Sequence, residues 1–215
     1  MLRAKPSRPL PGATVRPAAA GTQIAGHINI AMMGEISVGK TCLLQRFLGY
    51  AFPTSTEPTI LDCMIREFTL GNSEQLDLRI HDTAGQERFY ALSQQFYRIS
   101  SAFIVVYDES QPTTLLRISE FWIPKMREFN TKARHLLLVG NKSDLATPEH
   151  RADNERLLAA MHTQLETYKV TMTLLSAKTS TATECTAVFD AFCRRIILNY
   201  EKGERNDCEG FELIP

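Results

Sequence analysis

Apolar residues in this chain fall into short runs separated by polar, glycine-containing turns and by longer stretches with helical spacing. Strand-like runs occupy Ile28–Met33, Ala102–Tyr107, Leu136–Val139 and Thr171–Leu175, and each is followed by a turn and a helical stretch. Such alternation predicts right-handed crossovers and a parallel sheet covered by helices on both faces. Met64–Leu70 and Leu76–Ile80 break the pattern, because only Gly71-Asn72-Ser73 separates them. That spacing predicts a hairpin, and hence one antiparallel edge strand. The expected fold class is therefore α/β, a single domain with a mostly parallel six-stranded sheet. A helix is expected over Lys40–Phe47, and a last one over about Thr183–Tyr200, where Val188, Phe192, Ile196 and Tyr200 recur at core spacing.

Composition divides the chain into three parts. Residues 1–26 carry Pro6, Pro9, Pro11 and Pro17 with four basic residues and no acid, too little apolar surface to offset ordering, so a disordered leader is expected. An organelle transit peptide would share the basic, acid-free character, but the prolines oppose its amphipathic helix. The ordered domain is expected over 27–201, followed by a flexible acidic tail over 202–215. Across all 215 residues the formal net charge is +0, which gives no reason to expect nucleic acid as a partner. Cys42, Cys63, Cys185, Cys193 and Cys208 form no C-x-x-C pair, which favours a reducing compartment over a disulfide framework or a zinc site. No run approaches the length of a membrane-spanning helix.

The candidate chemistry lies in the loops after the strands. GEISVGKT at Gly34–Thr41 fits G-x-x-x-x-G-K-[ST], a P-loop pattern between a strand and a helix. The backbone of Gly34, Ser37, Val38, Gly39 and Cys42 would wrap phosphate oxygens, Lys40 would reach the β- and γ-phosphates, and the Thr41 hydroxyl would ligate Mg²⁺. DTAGQE at Asp82–Glu87 adds a carboxylate that can hold Mg²⁺ through water, and Gly85 permits close approach of the backbone to phosphate. NKSD at Asn141–Asp144 follows another strand. The Asp144 carboxylate can accept both the N1–H and N2–H₂ of guanine, a donor pair that adenine lacks, while Asn141 and Lys142 line the same rim. Ser176-Ala177-Lys178 offers a further backbone N–H toward the guanine O6. Singly, Asp82 and Gly85 also read as a helix cap and a turn glycine, and Asn141 as a turn residue. Their order and placement favour the ligand.

In this order and spacing GEISVGKT, TEPTI, DTAGQERF, NKSD and SAK resemble the Ras-type small GTPases over about Ile28–Tyr200, and the stretch DTAGQERFYALSQQFYRISSAFIVVYD with Trp122 is most similar to the Rab branch. The resemblance implies a P-loop GTPase domain that is on with GTP and off with GDP, and loops around Phe52–Asp62 and Gly85–Tyr97 that reorganise between the two states. By position, Thr59 would close on Mg²⁺ and the γ-phosphate, Phe52 would pack against the guanine, and Gln86 would orient the attacking water beside Lys40. It also implies an exchange factor, a GTPase-activating protein and effectors as partners of a monomer, in membrane trafficking or signalling. A nucleotide-binding module that stays GTP-loaded and barely hydrolyses is the alternative.

Departures from the family pattern carry further expectations. Ile36 is bulkier than the residue usual beside the γ-phosphate and would obstruct an arginine supplied in trans. Thr56 replaces a tyrosine that commonly covers the phosphates, and His81 replaces a tryptophan in a cluster with Met64 and Phe96. A lone histidine at such a place reads first as a packed residue and only second as a pH sensor. No catalytic arginine is evident in the first of these loops, whose only nearby candidate is Arg66 in the following strand, so slow intrinsic hydrolysis is expected. The chain ends DCEGFELIP, without a C-a-a-X box or a terminal cysteine pair, and begins Met1-Leu2. With Glu204, Asp207, Glu209 and Glu212 against Arg205 nearby, the tail favours no anionic lipid. The expectation is a cytoplasmic protein without a lipid anchor motif, recruited peripherally to membranes through a protein partner.

Overall fold

Continuous apolar runs become strands buried on both faces, and their residues alternate between two cores. In the computed structural model, which describes residues 24–53, 61–69, 75–83, 90–130, 133–201 and 212–213, β1 (Ile24–Met33) sends Ile28, Ile30 and Met32 to one face of the sheet and Ala31 and Met33 to the other. β4 (Ala102–Asp108) and β5 (His135–Asn141) divide in the same way, with Ile104, Val106, Leu137 and Val139 on the first side and Phe103, Val105, Leu136 and Leu138 on the second. This two-sided burial is the reason these strands read as unbroken apolar stretches.

The first core is closed by α1 (Lys40–Phe47) and α6 (Ala182–Glu201), which are pinned together where Phe47 stacks on Phe189 at 5.3 Å. Val188, Phe192 and Ile196 are buried there as their spacing predicts, together with Cys185 and Cys193. The Tyr200 side chain lies outside the description. On the opposite face, α2 (Tyr90–Ile99), α3 (Pro112–Arg117), α4 (Ile123–Phe129) and α5 (Pro148–Leu165) contribute Tyr97, Leu115, Met126, Met161 and Leu165 to the second core. A π-helical turn, Ile118–Trp122, joins α3 to α4.

Strand order is β2-β3-β1-β4-β5-β6-β7, with β2 (Leu61–Thr69) antiparallel to β3 (Gln75–Thr83) and every other pairing parallel. The expected six-stranded sheet and its antiparallel edge strand are both present. A two-residue strand, β7 (Glu212–Leu213), extends it beyond β6 (Lys169–Leu174), within the segment expected as a tail. β1 begins at Ile24, three residues inside the expected leader, because it follows β3 in parallel from Gln75 onward. The remainder of the leader and the turn at Gly71-Asn72-Ser73 lie outside the described residues. Among the described residues no helix is long and apolar enough to cross a membrane.

Candidate nucleotide site

β1 lies between β3 and β4, where the strand order reverses, and the loops leaving the carboxyl ends of β1, β5 and β6 come together at that rim, beside Asp82 near the end of β3. After Met33 the chain turns through Gly34 at φ 134° and reaches α1 through Gly39 at φ 94°. Both glycines are required twice over. A Cβ on Gly34 would lie 2.2 Å from the Val106 carbonyl oxygen, and one on Gly39 would lie 2.3 Å from Asn141 Nδ2. Ser37, at φ 62°, adds a left-handed residue between them, the kind of backbone conformation from which anion-binding nests are built.

Lys40 is buried, and its Nζ donates to the carbonyl oxygens of Gly34 at 3.0 Å and Glu35 at 2.8 Å. Burial lowers its pKa to about 8 against the opposing pull of Asp82 and Glu35. A phosphate anion beside Nζ would stabilise the charged form. The Thr41 hydroxyl donates to Asp82 Oδ2 at 2.6 Å, which brings the first residue pair expected at the metal into contact. Hydroxyl and carboxylate form an all-oxygen donor set that fits Mg²⁺. Val38 is a core residue whose carbonyl accepts from Asn141, and burial pushes the half-buried Cys42 thiol up, so both are confined to backbone contacts with a ligand.

On the purine side, buried Asn141 is a tie beam. Its Nδ2 donates to Val38 O at 2.8 Å and its Oδ1 accepts the Ala177 N–H at 3.0 Å, linking the phosphate loop to the loop after β6. Within Ser176-Ala177-Lys178, the Ala177 N–H is engaged by Asn141. Ser176 is buried and its Oγ accepts the Thr179 N–H, while Lys178 and Asp144 are exposed at the rim. Ser143 N–H bonds to Leu175 O at 3.1 Å and closes the two loops on each other. Lys142 stands at φ 60°, and its Nζ meets Asp108 Oδ2 at 2.7 Å. Asp108 Oδ1 in turn accepts from the Ser110 N–H and hydroxyl. Sequence reasoning missed Asp108, whose only signal was a carboxylate closing β4 at the same rim. It also missed Arg46, which donates to Ser180 O at 2.6 Å and Tyr50 O at 3.2 Å and so ties the base loop to the segment leading to Phe52. Phe52 itself is partly exposed at 39%.

Thr56, Thr59, Gly85 and Gln86 lie outside the described residues. Ile36 is 53% exposed on the phosphate loop. His81 is buried, with Nε2 3.0 Å from Asn29 Oδ1 and its ring 4.5 Å from that of Phe96. Desolvation, then Arg79, lowers its pKa, in keeping with a packed neutral residue. Arg66 is engaged elsewhere: it pairs with Asp190 at 2.7 Å, donates to Phe47 O and covers the Phe189 ring.

Residues 29–198 match a family model described as the Ras family. Among curated relatives, the chain is 39% identical over 118 residues to Ras-related protein Rab-30 of Homo sapiens, covering 54% of this chain and 57% of that protein. It is 38% identical over 133 residues to Ras-related protein SEC4 of Saccharomyces cerevisiae, covering 61% of each, and 32% identical over 127 residues to GTP-binding protein RHO4 of the same yeast, covering 59% and 43%. The matched stretch thus spans about half the length of these curated relatives.

Proposed function

The chain belongs to the Ras family, and from that premise we propose that it is a guanine-nucleotide switch that binds GTP and GDP with Mg²⁺, hydrolyses GTP slowly and presents its loops to effectors. The observation that carries the reading is the convergence of three sequence-distant loops through Asn141, which joins the phosphate cradle to the base rim by two buried hydrogen bonds. The backbone from Gly34 to Cys42 holds the phosphates, with Lys40 as counter-charge. Thr41 and Thr59, with Asp82 through water, would hold Mg²⁺, which would supply positive charge to the phosphates. Asp144 selects guanine, Lys142 is set beside the base by Asp108, and Phe52 covers it. Gln86 orients the attacking water.

Slow hydrolysis is supported by the engagement of Arg66 with Asp190, and Ile36, exposed within the phosphate loop, would obstruct an arginine supplied in trans. The same Ile36 supports the alternative, a module that stays GTP-loaded. Single-turnover hydrolysis of bound GTP separates the two: measurable Pi release that depends on Gln86 supports a switch, and none over many hours supports the module. The Rab likeness favours a role in trafficking or signalling, with regulators and effectors of the kind the family uses and membrane recruitment through a protein partner. Calorimetry with GDP, GTP and ATP tests the base of the proposal. Equal affinity for ATP and GTP refutes it.

A further inference from the structure

Glu35, the second residue of the phosphate loop, is bound in two directions. Its carbonyl accepts from Lys40 Nζ at 2.8 Å. Its side chain reaches the opposite way, where Oε1 accepts a hydrogen bond from Trp122 Nε1 at 3.1 Å and lies 3.4 Å from Arg117 Nε. The Arg117 guanidinium covers the Phe121 ring at 4.9 Å, and Phe121 meets Trp122 edge-on at 5.0 Å. Trp122 is the chain's single tryptophan and is buried.

The local sequence explains how the indole gets there. Pro124 has no N–H to give the Glu120 carbonyl, and its ring crowds that carbonyl, so a regular α-helix cannot run through this point. The Ile123 N–H instead bonds to Ile118 O, five residues back, making the π-helical turn Ile118–Trp122. The extra residue in that turn lets Ile118, Ile123 and Met126 stay in the core while Trp122 presents its indole N–H to the phosphate loop. Turns of this type recur at functional sites.

The placement matters electrostatically. Glu35 acts on the Lys40 ammonium, so its carboxylate is within electrostatic reach of the phosphate position. Left loose, a carboxylate there would repel the nucleotide. We propose that Glu35 is a positioning residue through which Arg117 and Trp122 brace the phosphate loop from the α3–α4 side, holding its carboxylate off the phosphates and thereby setting the rate of nucleotide release. This rests on the nucleotide-switch reading above. Breaking the indole bond frees the carboxylate toward the phosphates and loosens the carbonyl under Lys40.

The test is a mutant cycle on the full chain loaded with a fluorescent GDP analogue and chased with excess GDP. Trp122→Phe should speed release at least about tenfold, as expected for loss of one hydrogen bond to a charged group. In a Glu35→Ala background the same substitution should add less than about twofold, because its partner is already gone. Arg117→Met repeats the cycle without touching the core. Equal acceleration in both backgrounds, or none in either, would overturn the brace while leaving nucleotide binding by the parent intact. A parent that binds no GDP would overturn the switch reading and the brace with it.

Discussion

Replacing Asn141 by alanine removes both ends of the beam that joins the phosphate loop to the base loop. The side chain is 1% exposed, and its partners, Val38 O at 2.8 Å and Ala177 N–H at 3.0 Å, are main-chain groups on different loops. Each buried group left unsatisfied costs about 1–3 kcal/mol, so Asn141→Ala should destabilise the fold by about 2–5 kcal/mol. That is a large share of the roughly 5–15 kcal/mol available to a domain. Asn141→Asp sharpens the test. It keeps the acceptor for Ala177 but sets a carboxylate oxygen against Val38 O, so only the protonated acid can donate there. The folded pKa of that aspartate must then rise above its unfolded value of about 3.9, and the folded state binds the extra proton. Stability should therefore fall as pH rises from about 4 toward the folded pKa, by up to about 1.4 kcal/mol per pH unit, and level off above it. Urea midpoints at two saturating GDP concentrations, from pH 4.5 to 8, separate this from ligand linkage. An Asn141→Ala variant within about 1 kcal/mol of the parent, with unchanged GDP affinity, would refute the reasoning.

Asp144→Asn should weaken GDP binding at least about tenfold, from the loss of a charged hydrogen bond worth about 1.5–3 kcal/mol, and should shift preference toward xanthosine nucleotides in competition calorimetry. Gln86→Leu should leave GTP affinity unchanged and slow single-turnover hydrolysis; unchanged hydrolysis would remove Gln86 from the water-orienting role. Ile36→Ser should increase the response to a cognate activating protein, and an identical response of parent and variant would dismiss obstruction. His135 is buried, with Nε2 3.1 Å from the Asn199 amide, and desolvation, then Lys169 and Arg195, lowers its pKa to about 4. The unfolded chain takes up that proton near pH 6.5 and the folded one resists it, so stability is present above about 6.5 and is lost as pH falls toward 4, by up to about 3 kcal/mol. Urea midpoints of His135→Gln should fall less over that range than those of the parent.

What the sequence determined by itself is local in the chain. Ile28–Met33, Lys40–Phe47 and the closing helix were legible because their periodicity is set by neighbours one to four residues away, and GEISVGKT and NKSD because each motif is continuous. The hairpin was legible because only a short turn separates its strands. Tertiary structure decided the rest. Asn141 meets Val38 across 103 residues, Arg46 meets Ser180 across 134 and Trp122 meets Glu35 across 87, and none of these pairs leaves a spacing signal in a single chain. Two residues acquired their roles in the same way. Arg66, the arginine nearest the first loop in sequence, packs against Asp190, and the Ala177 N–H within Ser176-Ala177-Lys178 is met by Asn141. The physical reason is that motif identity depends on residue types along the backbone, whereas a hydrogen-bond partner depends on which surfaces the two cores bring within 3 Å, and that is fixed only when the sheet and helices have closed on each other.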